Sequence, residues 1–162
     1  MNSSKIAQMG LLVALAFILS YVESLIPLQI GIPGVKLGLA NIVVLIAIVQ
    51  FGEKEAFFLA VVRAVLSGFT FGSLYSMAYS LSGGILSTLI MNFMHKIKKF
   101  SIIGISVTGG VVHNMGQLMV AMLVLRSADL KYYAGFLILS GILTGLFVGI
   151  VSNSTLKHLK VI

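Results

Sequence analysis

The side chains of this chain that could do chemistry are few, and most stand in apolar surroundings. Arg63 is followed by Ser67 and Thr70 at i+4 and i+7, so the three share roughly one helix face. His113, Asn114 and Gln117 fall within one and a half turns and form the densest polar cluster of any apolar stretch. Lys36 follows the turn marked by Pro33 and Gly34 and opens the run Leu37 to Phe51, with Asn41 just inside it. Glu23 stands near the far end of the first apolar run. Such a set suits binding better than bond breaking: guanidinium and ammonium groups attract an anion, while amide, imidazole and hydroxyl groups hydrogen-bond a polar body. Each residue also has a plain structural role open to it. A lysine beside an apolar span commonly snorkels to a membrane surface. Arg63 can pair with Glu23 and lock two helices. Asn, Gln and His bridge membrane helices for about 0.6 kcal/mol on average, although three of them in so short a stretch favour a lined cavity.

The elements that must position these groups follow from composition. Hydrophobic residues make up 59% of the 162, charged residues 9%, and the mean hydropathy is +1.11, too little polar surface to coat a soluble globule. The apolar runs approach the ~20 residues a helix needs to cross the hydrocarbon core and lack the alternation of a membrane barrel. The expectation is an all-α integral membrane protein, residues 1–162 forming a single domain of six transmembrane helices in one compact bundle. The first run has no A-x-A-like cleavage site and is expected to stay as a span. The absence of cysteine and three scattered histidines imply no metal site, and no cofactor is expected.

In order, the helices are expected over Lys5 to Ile26, Leu37 to Phe51, Ala56 to Phe71, from after Ser73 to Met94, Phe100 to Leu125, and Tyr132 to Val151. Gly52-Glu53-Lys54-Glu55 reads as a polar turn. Gly10 and Ala14 give the first helix a small-xxx-small face that another helix can approach closely. Tyr75 and Tyr79 open the fourth helix, where they could stack on a ring or serve as ordinary interface residues. Gly141, Gly145 and Gly149 form a ridge for close packing in the sixth.

Lys5, Lys54, Lys96, Lys98, Lys99, Lys157 and Lys160 would lie on one side of such a bundle, against Lys36, Arg126 and Lys131 on the other. Both termini are therefore expected to be cytoplasmic. The net charge of +7 then needs no nucleic acid, because the basic residues collect where anionic lipid headgroups sit. With that orientation Glu23, Lys36, Asn41, Arg63, Ser67, Tyr75, Tyr79, His113, Asn114 and Gln117 fall into one layer reachable from outside, a candidate ligand site.

Several stretches carry a resemblance across almost the whole chain: Gly10 and Ala14, the segment from Pro33 to Asn41, Tyr79-Ser80-Leu81-Ser82-Gly83-Gly84, and the run from Gly109 to Gln117. Together they resemble the Gx transporter family, labelled heptaprenyl diphosphate synthase component I, and more broadly the S components of energy-coupling factor transporters. That resemblance implies a bacterial cytoplasmic membrane protein with an outward-facing pocket. It also implies contact through Gly10 and Ala14 with a transmembrane coupling subunit driven by two cytoplasmic ATPases. A flavin is the first substrate it suggests. The residues argue against the synthase label as an activity, since prenyl diphosphate chemistry needs clustered carboxylates to hold magnesium. The chain has one aspartate, Asp129, and three glutamates, with no acidic pair inside a span and no Walker A motif. It is expected not to be an enzyme. The alternatives are a noncatalytic partner or carrier in isoprenoid and quinone metabolism, or a structural membrane scaffold.

Overall fold

In the computed structural model, which describes residues 3–26 and 38–160, the described residues are almost all helical, with no strand among them. The helices are α1 (Ser3–Leu25), α2 (Leu39–Phe51), α3 (Glu53–Thr70), α4 (Leu74–Ile97), α5 (Ile102–Leu125) and α6 (Ala134–His158), with a short 3-10 turn over Ala128–Tyr133 before α6. Local chemistry sets the ends. Ser73 and Ser76 cap α4 reciprocally, each hydroxyl accepting the other's backbone N–H at 3.1 and 2.8 Å. The Ser101 hydroxyl accepts from Gly104 at the start of α5. Gly52, at φ 95°, makes the whole α2–α3 junction by itself, a conformation costly for any side chain.

Helix ends differ in places from the expected ones: α4 runs to Ile97 rather than Met94, α5 opens at Ile102 rather than Phe100 and α6 at Ala134 rather than Tyr132, and two further differences have a plain cause. The polar turn over residues 52–55 shrinks to Gly52, because Glu53 and Glu55 enter the first turn of α3, where free N–H groups favour carboxylates. The last helix runs on to His158 rather than Val151, since Ser152 and Leu156 continue its buried stripe and Lys157 and His158 suit a helix C-terminus.

The bundle is built around α2. Residues 43–48 are buried on every side, and α2 packs against α1, α3, α4 and α6. A helix apolar all round belongs in such a position. The most extensive contacts join α5 to α6 and α4. Phe71 clamps α1 to the end of α3, its ring 5.4 Å from those of Phe17 and Tyr21.

Polarity runs inside out on α4: Ser80, Gly83, Gly84, Ser87, Thr88 and Asn92 face inward, while Leu74, Leu86, Leu89 and Phe93 face outward. With Leu11 70% and Leu123 77% exposed, the outer surface is one that water would not tolerate and lipid would. Four segments are long and apolar enough to cross a membrane: Ser3–Leu25, Leu74–Ile97, Ile102–Leu125 and Ala128–His158. The apolar α2 is shorter, about 20 Å at 1.5 Å per residue, and α3 carries four charged side chains. The chain is thus a helical membrane protein.

Two ion pairs gather helix ends at one pole of the bundle. Lys5 on α1 pairs with Glu55, and Lys96 on α4 pairs with Glu53 at 2.6 Å. The hydrogen bond and charge of Lys96 hold Glu53 below the ordinary carboxylate pKa, and the hydrogen bond of Lys5 does the same for Glu55.

Candidate ligand-binding site

The inward stripe of α3 is Ala56, Leu59, Ala60, Arg63, Ala64 and Ser67, a helical spacing in which the alanines let neighbours approach and the arginine is carried among them. Arg63 is only 3% exposed, and its Nε and Nη2 have no hydrogen-bond partner among the described residues. Leaving buried donors of a charged group unmet is costly. From α1, the Glu23 carboxylate acts on Arg63 through space, while its Oε1 accepts the backbone N–H of Gly38 and so ties the end of α1 to the start of α2.

Facing Arg63 is the Gly83-Gly84 pair of α4. A Cβ on Gly83 would come within 2.6 Å of the His113 carbonyl oxygen and 3.0 Å of the Gln117 side chain, so this glycine exists to let α4 and α5 touch. Gly116 lies against it from α5, and the Ser82 hydroxyl donates to the Gly116 carbonyl at 3.0 Å. Gly84 differs. It is buried, yet a Cβ there would meet only Arg63 Nη2, at 3.6 Å, among the described residues. The glycine pair thus separates Arg63 on one side from His113 and Gln117 on the other, all three buried.

Of the residues expected in one layer, Arg63, His113 and Gln117 lie against the Gly83-Gly84 pair of α4, Tyr79 is buried one turn earlier on the same helix, and Glu23 reaches Arg63 by charge. Arg63, Gly84 and His113 lie near the middles of their helices rather than toward one end, partly because α3 begins at Glu53. Ser67 is buried and returns its hydroxyl to the Arg63 carbonyl at 2.8 Å within its own helix. Asn114 points to α6, donating to the Leu137 carbonyl at 2.9 Å, which is helix bridging. Asn41 lines a separate cavity of about 10 Å³ with Ser106, Gly109 and Thr144, room for roughly one water. Tyr75 is 65% exposed at the start of α4, away from this cluster. Lys36 lies outside the described residues. Among the described residues no three His, Cys, Asp or Glu side chains gather to hold a metal.

A family model described as heptaprenyl diphosphate synthase component I matches residues 12–155. The chain belongs to that family, also called the Gx transporter family. No curated protein and no solved structure matches it. The heptaprenyl diphosphate synthase component I match contains the whole Arg63, Gly84 and His113 cluster and Ala14, while Gly10 lies just before it. On α1, Gly10 and Ala14 are exposed, and a Cβ on Gly10 would meet nothing within 4 Å among the described residues. Beside them a groove of about 480 Å³ is lined by Gln8, Leu11, Leu12, Gln50, Phe51 and Leu159.

Two buried positions stand out only in the structure. Ser20 lies one turn before Glu23, with its hydroxyl unbonded among the described residues. Gly84 was legible only as half of a glycine pair, although such a pair inside a helix costs roughly 1 kcal/mol per residue against alanine and so asks for a reason.

Proposed function

We propose that this chain is the substrate-binding membrane subunit of an energy-coupling-factor-type transporter, crossing the bacterial cytoplasmic membrane six times with both termini in the cytoplasm. Its ligand is a small metabolite with an anionic group or an aromatic body, a flavin first. What supports the reading is the packing of Arg63, His113 and Gln117 on the Gly83-Gly84 pair in mid-bundle, with Glu23 acting on the arginine. A purely structural bundle gains little from a buried guanidinium with two unmet donors. The chain itself performs no catalysis in this reading. Transport energy comes from two cytoplasmic ATPases through a coupling subunit that docks on the exposed small-residue face at Gly10 and Ala14.

The family description favours a second reading, a noncatalytic carrier or partner in isoprenoid diphosphate metabolism. One experiment addresses both. The purified chain in detergent is heated with flavins, vitamins and isoprenoid diphosphates, and a ligand at about 100 times its Kd adds about 2.7 kcal/mol of stability. A shift with flavins supports the first reading, and a shift with isoprenoid diphosphates alone supports the second. No shift with any member leaves a structural scaffold.

A further inference from the structure

We infer that the ligand is anchored by an oxyanion, a phosphate ester or a carboxylate, seated on the Nε–Nη2 edge of Arg63 beside Gly84. The inference rests on the reading of the chain as a small-molecule binder and names the group that the site recognises. Nε and Nη2 share one edge of the planar guanidinium, and their N–H bonds run parallel in a fork that matches two oxygens of a phosphate or carboxylate. These are the two donors that lack a partner among the described residues. Glu23 lends its charge to Arg63 but accepts no hydrogen bond from either nitrogen, and its Oε1 accepts from the Gly38 N–H.

Gly84 keeps that edge clear of a side chain of its own. Its neighbour Gly83 is crowded to within 2.6 Å by α5, whereas among the described residues a Gly84 Cβ would touch only Nη2, at an ordinary contact distance of 3.6 Å. A buried glycine beside two unpaired donors suits an oxyanion seat, and close contact between helices does not require it there. A neutral analogue of the ligand would leave both donors desolvated and unmet, so the site should discriminate by charge. Lysine would be a poor substitute for Arg63, since an ammonium keeps the charge and loses the fork.

The test uses the full chain in detergent and matched pairs that differ only in the anion: FMN and riboflavin, farnesyl diphosphate and farnesol, pantothenate and panthenol. Affinities come from thermal midpoints and equilibrium titration. In at least one pair the anionic member should bind at least about tenfold tighter than its neutral partner. The identity of the pair separates a flavin phosphate, an isoprenoid diphosphate and a carboxylate as sources of the oxyanion. Arg63→Gln should erase that preference, lowering affinity for the anionic member by at least about tenfold. Because Arg63→Gln could disturb folding, Gly84→Ala serves as a second variant. Its methyl makes an ordinary 3.6 Å contact with Nη2, so the unliganded midpoint should hold while the anionic preference falls. Equal binding of both members in every pair that binds overturns the anchor and leaves the binding subunit standing. So does a preference that survives in both variants. If no compound binds, both readings fall together.

Discussion

Glycines at two places in the bundle do different things. Between α5 and α6, a Cβ on Gly110 would lie 2.5 Å from the Gly141 carbonyl oxygen, one on Gly145 2.6 Å from Val107 Cα, and one on Gly149 2.9 Å from Ile103 Cα. Backbone meets backbone there, and no flexible side chain can move aside. Between α3 and α4, a Cβ on Gly68 would likewise lie 2.5 Å from the Met77 side chain, but one on Gly84 would touch only the tip of Arg63 among the described residues, at an ordinary 3.6 Å. In lipid, where no hydrophobic force drives helices together, close contact of the first kind holds a bundle, and Gly84 contributes none of it.

The sharpest way to break this comparison is to add the same methyl to both seams. Gly145→Ala should destabilise by about 1–3 kcal/mol through overpacking against the α5 backbone, measured as a fall in the unliganded thermal midpoint. Gly84→Ala should cause no fall and is expected to gain up to about 1 kcal/mol from helix propensity. Equal losses at the two sites would erase the distinction. Next in size, Asn114→Ala removes the bond to Leu137 that stitches α5 to α6, at about 0.6–1.7 kcal/mol, with ligand affinity preserved. Loss of ligand binding instead would move Asn114 from seam to site.

On the outer face of α1, Gly10→Leu should shift stability by no more than about 0.5 kcal/mol, since nothing lies within 4 Å of its Cβ. The same change should release the coupling subunit in co-purification, and retained subunit would count against that face as the docking surface. The smallest effect belongs to the polar pole. The folded pKa of Glu53 lies below its ordinary value of 4.5, so its pairing with Lys96 contributes above that value and is lost as pH falls through the folded pKa. Glu53→Gln should therefore flatten the pH dependence of stability below about pH 4.5. Unchanged acid sensitivity would show that the pair is energetically silent.

Much of the helical layout was legible, because apolar runs bounded by Pro, Gly and Ser punctuate the chain clearly; helix ends at Phe51 and Leu125 fell as expected. The differences at Glu53 and Val151 have one cause. Polar residues read as loop in sequence, yet carboxylates favour a helix N-terminus, and Ser152 is wholly buried against neighbours that only the fold supplies. The candidate site was legible as a set of residue types and not as an arrangement. Consecutive His113 and Asn114 turn about 100° apart on a helix, so one reaches the glycine pair of α4 and the other the backbone of α6.

By itself the sequence determined that the chain resides in lipid, that it is helical, and that a handful of polar groups must be answered inside it. Those properties follow from composition and spacing, which are local. Only the tertiary structure decided that Arg63 keeps two donors unmet beside Gly84, where a methyl would make an ordinary contact, while Gly145 is filled to the backbone. What a missing Cβ accomplishes depends on how near the facing helix comes, and that distance is written in no single stretch of chain.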